Sequence, residues 1–345
     1  MGIVRTVERR KAELEEFQRM LRTFHRKPEE VRIASSTEDK VVCITSGISF
    51  LGLWIANELL VKGYSVRLAV ENEEDLLKLR EMEVFTGTRS DVVAVMANVM
   101  EIDSLCEAFN GCRGVFHTSA FVDPGGISGY SKHMVNLEAK AAENVIEACA
   151  RTPSVRKCVF TSSLLACVWR EVSGPSGSVL DEKCWSEERV CQEKKLWFAL
   201  GKTMGEKAGW RKAREREVNM VSICPGLITG PSFHLRNSTW SMAYLKGARE
   251  MYEKGVLASV DVSMAAEAHV YLYENMEYGA CGRYICFDRV IIRAEEAIDL
   301  QEKMAVTILR EGEGDSLALP VLSNSKLSRL MSSSFQRCSQ FSESL

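Results

Sequence analysis

The sequence predicts an α/β fold: a doubly wound parallel sheet with helices on both faces, a smaller C-terminal lobe and a helix in front. Three observations carry this expectation. From residue 40 to residue 225, short apolar runs of strand type alternate without a break with segments of helical periodicity. The first such unit, strand 40–45, helix 50–61 and strand 64–70, has about the length that a crossover between parallel strands needs. Beyond Pro231 the alternation loosens, which sets the remaining elements apart as a lobe.

The elements follow in order. Residues 2–27 read as a helix, because Val4, Val7, Leu14, Phe17, Leu21 and Phe24 recur at roughly helical spacing among charges. Lys27-Pro28 ends it, since the residue before a proline is pushed out of the helical region. Such a helix needs packing to persist, so it docks on the body or on a protein partner. Residues 29–39 are a polar linker. After strand 40–45 comes the turn Ser46-Gly47-Ile48-Ser49, then the helix with Leu51, Trp54, Leu59 and Leu60 as core candidates, stopped at Lys62-Gly63. Strand 64–70 leads to helix 73–82, strand 91–97, helix 102–109, strand 114–118, helix 131–151 and strand 155–162. The chain then turns irregular around Gly174, Pro175 and Gly177. A long helix is expected over 187–215, and strand 218–224 ends at Pro225-Gly226. The lobe, residues 232–310, holds helix 240–253, strand 256–261, helix 263–276, strand 283–287 and helix 293–310. From Glu311 the chain is rich in Ser and Gly, and residues 322–345 read as disordered. The domain plan is thus residues 1–39, a main domain over 40–310 with its core at about 40–231, and a mostly flexible tail over 311–345.

Composition narrows the function. A net charge of -3 gives no reason to expect nucleic acid or an anionic membrane. There is no run of about 18 apolar residues to span a membrane. Met1–Lys11 lacks the apolar stretch of a secretory signal, and the expectation is a cytoplasmic protein. The 12 cysteines are scattered without a CxxC pair, several in apolar runs (Cys43, Cys158, Cys224, Cys286), which reads as reduced, buried thiols. Cys184 and Cys191 have no supporting His spacing, so no metal site is expected.

The turn after the first strand is where a dinucleotide's pyrophosphate would sit, held by backbone N–H groups and the helix dipole. Here it reads Thr45-Ser46-Gly47-Ile48-Ser49-Phe50-Leu51-Gly52. Against the pattern Thr-Gly-x-x-Gly-x-x-Gly, serines 46 and 49 replace the first two glycines and Gly47 is displaced by one place. Either serine can offer its N–H and hydroxyl to phosphate, and a bulkier turn can equally push the ligand away. Glu71 lies nineteen residues past Gly52, directly after the second strand. A carboxylate there bonds the ribose hydroxyls of NAD and repels the extra phosphate of NADP. The plainer reading is a solvated charge among Glu73, Glu74 and Asp75. Arg67 lies inside the strand and is read as pointing away.

Several stretches in order carry a family resemblance: Gly114-Val115-Phe116-His117-Thr118, Val159-Phe160-Thr161-Ser162-Ser163, Asp181-Glu182-Lys183-Cys184-Trp185, Pro225-Gly226-Leu227-Ile228-Thr229-Gly230-Pro231, Ala265-Ala266-Glu267-Ala268-His269 and Gly282-Arg283-Tyr284-Ile285-Cys286. With these, residues 40–310 resemble the extended short-chain dehydrogenase/reductases of plants, the cinnamoyl-CoA reductase and dihydroflavonol reductase group, and most of all its cinnamoyl-CoA-reductase-like branch. The resemblance implies a Rossmann-type fold, NADP as cofactor, where Glu71 argues for NAD so that the choice between NADP and NAD stays open, and a small carbonyl compound as substrate. It places His117, Thr118 and Ser119 near the nicotinamide ribose, Asn98 near adenine, and Pro225 to Leu227 beside the nicotinamide. Ser163 matches the serine that holds the substrate carbonyl. Lys202 matches the lysine that binds ribose hydroxyls and lowers the pKa of a tyrosine four residues before it. That tyrosine position is Phe198.

The substitution is chemically severe. A phenol beside a lysine cation donates a proton to the oxygen that gains charge when a carbonyl is reduced. Phenylalanine keeps the ring and has no proton to give. Tyr130 and Tyr244 fall in segments near the expected cleft, without the lysine spacing. The signature Asn-Trp-Tyr-Cys-Tyr-Gly-Lys of the cinnamoyl-CoA reductases is replaced by Leu196-Trp197-Phe198-Ala199-Leu200-Gly201-Lys202, so CoA-thioester specificity is not carried over. Three readings stand: a reductase of altered activity on a hydrophobic, phenylpropanoid-like carbonyl compound, a non-catalytic nucleotide-binding protein that senses cofactor or binds a partner, and a structural protein that no longer binds nucleotide.

Overall fold

The structure, a computed structural model, describes residues 40–73, 75–77, 91–118, 130–171, 179–310, 313–315 and 322–340. The helix expected over 2–27, most of that expected over 73–82, and Ser119 lie outside them.

The core is a seven-stranded sheet of β1 (Val41–Thr45), β2 (Ser65–Val70), β3 (Val92–Met96), β4 (Gly114–His117), β5 (Lys157–Thr161), β6 (Met220–Pro225) and β9 (Gly282–Cys286). Its order is β3-β2-β1-β4-β5-β6-β9, and every pairing is parallel. Alternate residues serve opposite faces, as the pleat requires. Val42, Ile44, Phe116 and Val159 join one core layer, and Cys43, Val115 and Cys158 join the other. Helices α1 (Phe50–Val61) and α10 (Val262–Asn275) cover the first face. The second is covered by α2 (Ile102–Phe109), α3 (Lys132–Arg151) and the far end of α6 (Trp197–Glu215). Burial on both faces explains why the strands read as apolar runs rather than alternating ones.

The helix expected over 187–215 is two helices, α5 (Glu188–Glu193) and α6, with the short α4 (Leu165–Val168) before them. Lys195 adopts φ +54 and Leu196 N donates to Cys191 O, so the first helix closes on itself before the second starts. Leu196 is buried at the break, and its burial fixes where α6 begins. Phe198 and Lys202 consequently sit in the first two turns of α6.

A three-stranded sheet, β10-β8-β7, flanks the lobe through β7 (Leu227–Thr229), β8 (Ala258–Asp261) and β10 (Arg289–Val290); the strand expected over 256–261 is its middle one, and the other two were not expected. The helix expected over 240–253 is also divided. After α7 (Phe233–Arg236) come α8 (Ser238–Tyr244) and α9 (Ala248–Glu253). Gly247 has φ +90 between the last two, and a Cβ there would lie 2.7 Å from Trp169. Helix α11 (Ala294–Met304) is shorter than expected because Ala305 turns left-handed at φ +51. The tail is the clearest correction: α12 (Ser325–Gln340) is a helix where disorder was expected. Its serines mask a helical stripe. Leu327 is buried, with Leu330 and Met331 packed beside it, and Lys326 Nζ donates to Cys281 O at 2.7 Å and Arg283 O at 2.9 Å.

One buried charge cluster ties α6 to the sheet. Arg283 in β9 grips Glu206 in α6 through Nε (2.8 Å) and Nη2 (3.0 Å). Ser162 Oγ donates to the same carboxylate at 2.7 Å, and Arg283 Nη1 reaches the carbonyls of Glu182 and Cys184. A fully buried carboxylate is tolerated only with such partners. The grip fixes the residue beside Ser163 and the helix that carries Lys202.

Candidate active site

A cleft of about 740 Å³, its open mouth included, lies at the C-terminal ends of β1, β4, β5 and β6. β1 is the switch point, because from it the chain builds the sheet first toward β2 and β3 and then toward β4. Crevices at such points are where doubly wound sheets bind ligands. Serines 46 and 49, Thr118, Ser163, Phe198, Lys202 and Pro225 all line the cleft.

The turn departs from a glycine-rich one in specific ways. Ser46 sits at φ +48, a left-handed conformation that glycine adopts without cost. Gly47 instead packs on β2: its N donates to Ala69 O, and a Cβ would lie 2.8 Å from Leu68. Gly52 is sterically required, since a Cβ would lie 2.7 Å from Ser46 O. Ser49 caps α1, accepting the Gly52 amide on its hydroxyl at 3.1 Å. That hydroxyl occupies one of the helix donors an anion would otherwise take. Ser46, Ser49, Phe50 and Leu51 still face the cleft at the helix N-terminus, and the residues fit a dinucleotide's phosphates there. Thr45 lies beneath, its Oγ1 accepting the Thr118 amide at 3.1 Å.

Ser163 is buried at the end of β5, and its Oγ accepts the Leu165 amide at 3.2 Å. That leaves the hydroxyl proton available to the cleft. Phe198 is 8% exposed, and Lys202 Nζ stands 5.7 Å from its ring centroid. The Lys202 ammonium, itself only 6% exposed, pairs with buried Glu138 of α3 at 3.4 Å. Glu138 was not among the expected site residues. A carboxylate in the middle of a helix pattern carries no mark of what will face it across a helix pair.

Neither Tyr130 nor Tyr244 offers its hydroxyl to the cleft. The Tyr130 ring packs edge-on against Phe198 at 5.1 Å, behind it rather than in the cleft. Burial and the Glu138 carboxylate push its hydroxyl far above the ordinary phenol range. Tyr244 does line the cleft, and its hydroxyl donates to Ala258 O at 3.2 Å. His117, expected beside the ribose, lies buried under the turn with Nδ1 3.0 Å from Thr45 Oγ1. Burial, then the Lys202 charge, lowers its pKa to about 3, so it is neutral and structural. Asn98 is also committed locally, accepting the Met100 amide at 2.9 Å and donating to Glu101 Oε1 at 3.2 Å. Its side chain must rearrange to meet adenine. Glu71 is exposed directly after β2. Arg67 faces the other way, donating to Ala108 O and Asn110 O.

The sheet order, the cleft at its switch point and the Ser163–Lys202 pair define a short-chain dehydrogenase/reductase. Residues 43–195 match the model of the 3-beta hydroxysteroid dehydrogenase/isomerase family. Cinnamoyl-CoA reductase 1 of Petunia hybrida is 38% identical over 75% of this chain and 76% of its own. Cinnamoyl-CoA reductase 1 of Arabidopsis thaliana is 34% identical over 76% of this chain and 74% of its own. The chain belongs to this family of plant cinnamoyl-CoA and dihydroflavonol reductases. Among solved structures, vestitone reductase from alfalfa (Medicago sativa L.) shares the fold with a TM-score of 0.61 and 24% identity, over 84% of this chain and 91% of that one. Yeast methylglyoxal/isovaleraldehyde reductase Gre2, complexed with NADPH, does so with a TM-score of 0.66 and 16% identity, over 85% and 93%.

Proposed function

We propose that the protein is an NAD(P)H-dependent carbonyl reductase working without the usual phenolic proton donor, on a hydrophobic, phenylpropanoid-like compound. The observation that carries this reading is the convergence of Ser46, Ser49, Thr118, Ser163, Lys202 and Pro225 on one cleft at the switch point. The bound nicotinamide would supply a hydride. Ser163 donates a hydrogen bond to the carbonyl oxygen, and the Lys202 ammonium stabilises the charge growing there. The proton then comes from water rather than from residue 198. A positioned acid typically contributes about 10²–10⁴-fold, so turnover should be slow. Glu71 favours NADH over NADPH by repelling a 2′-phosphate.

Phe198 also supports a second reading: a cofactor-binding protein with no turnover, which senses nucleotide or presents a segment outside the described residues to a protein partner. Titration with NADH and with NADPH, followed by tryptophan fluorescence, tests both. No saturable change with either would end both readings. Saturable NADH binding with no turnover across an aldehyde panel would select the second.

A further inference from the structure

We propose that a cationic cavity at the N-terminal edge of the seven-stranded sheet, opposite the cleft, is the docking site of residues 28–39 of this same chain. That segment lies outside the described residues. The proposal is independent of the reductase reading.

The cavity has a volume of about 1160 Å³, its open mouth included. The residues that lead into four neighbouring strands wall it: Lys40 before β1, Tyr64 before β2, Arg113 before β4, and Arg156 and Lys157 at the start of β5. The end of α10 and the turn after it complete the wall with Tyr273, Glu274, Glu277 and Tyr278. The cleft opens at the other ends of the same strands, so this concavity is separate from it.

Its charge is unbalanced. Four cations line it against two carboxylates, and both carboxylates are engaged. Glu277 pairs with Lys157 at 2.8 Å, and Glu274 pairs at 2.8 Å with Lys62, a fifth cation beside the lining. Lys40 and Arg156 form no ion pair among the described residues. Lys40 stands 5.8 Å from the Tyr64 ring centroid, and Arg156 is exposed. Like charges gathered in a concavity focus their field and attract an anionic group.

The chain itself brings one to the mouth. Lys40 is part of the lining, and consecutive Cα atoms are about 3.8 Å apart, so Asp39 starts at the rim. Residues 28–39 carry Glu29, Glu30, Glu38 and Asp39 against Arg32 alone. Residues 1–27 have the opposite balance, eight Lys and Arg against four Glu, so charge selects the second stretch and not the first. Val31 and Ile33 add an apolar pair suited to the ring of Tyr278, which is 76% exposed. The twelve residues span at most about 40 Å when extended, enough to lay all four carboxylates along the cations. Surface ion pairs are weak singly. A tether raises the effective concentration of the segment to the millimolar range, so a few such pairs suffice.

The test exposes the full chain at low salt to thermolysin, which cuts before Val31 and Ile33. Mass spectrometry compares the cleavage rate with that of a free peptide of residues 26–39. Docking should slow cleavage about tenfold, because proteolysis follows the undocked fraction. Raising the salt to about 0.5 M should remove most of that protection by screening. Lys40→Glu combined with Arg156→Glu should reduce it below about threefold, and adding Glu29→Lys and Glu30→Lys to that variant should restore it. The proposal is overturned if the native chain is cut within about twofold of the peptide rate. It is equally overturned if protection survives both salt and substitution, or if the reversed charges do not restore it. Protection that grows with protein concentration would place the segment on a second copy and overturn it too. Should the charge-reversed chain fail to fold, the salt series on the native chain decides alone.

Discussion

Phe198→Tyr should restore a fast proton donor, and Glu138 should limit how well it works. The Lys202 ammonium stands 5.7 Å from the ring that would carry the added hydroxyl, and a unit charge at such a distance is worth about 3 kcal/mol at an effective dielectric of about 20. Glu138 sits 3.4 Å from that ammonium. Those two distances put the carboxylate no more than about 9 Å from the ring, where it would oppose the lysine by about 2 kcal/mol. Net assistance in Phe198→Tyr is therefore only about 1 kcal/mol, and Glu138→Gln would release the rest. Phe198→Tyr alone should raise kcat by about 10²–10⁴-fold. Adding Glu138→Gln should move the alkaline limb of the reduction profile down by about 1.5 pH units, because a phenol donates only while protonated. The assay is NADH consumption at saturating cofactor across an aldehyde panel, from pH 6 to pH 10 in steps of about half a unit, bracketing the phenol range. If native and Phe198→Tyr proteins turn over within twofold of each other, the missing phenol is not what limits the reaction. If the alkaline limb does not move with Glu138→Gln, the ion pair does not control that position.

Four further outcomes are expected. Arg283→Met strands the fully buried Glu206 carboxylate and should cost about 3–5 kcal/mol in urea unfolding, where loss of a surface pair would cost under about 1 kcal/mol. Gly201→Ala puts a Cβ 2.1 Å from the Tyr130 hydroxyl, which should lower stability by about 1–3 kcal/mol and weaken NADH binding by displacing Lys202. Ser46→Gly relieves a left-handed serine and should tighten NADH binding in a fluorescence titration, with a stability change of no more than about 1 kcal/mol because glycine also loosens the unfolded chain. His117 and His269 keep pKa values of about 3 and about 4 in the folded protein, burial being the main cause. Both values are below those of the unfolded chain, which therefore binds more protons in acid. Stability should fall as pH drops from about 6.5 toward 4, by about 1.4 kcal/mol per pH unit for each ring. Replacing His117 by Asn should remove one proton from that slope in acid-unfolding titrations.

The sequence by itself determined the seven-stranded sheet, the position of the turn after β1 and the presence of Phe198 four residues before Lys202. Strand and helix periods are local, and the apolar runs at 41–44 and 158–160 are legible because burial on both faces favours apolar residues at successive positions. Phe198 is likewise visible from spacing alone, four residues before Lys202. Tertiary structure decided the rest. The break at Lys195–Leu196 depends on burying Leu196, and α12 persists because Leu327 has the body of the protein to pack against. Pairing across elements was invisible for the same reason. Glu138 meets Lys202 only because α3 and α6 pack together, and Glu206 meets Arg283 only because β9 joins β6. Periodicity reports which face of an element is buried, and only the packed fold reports what that face meets.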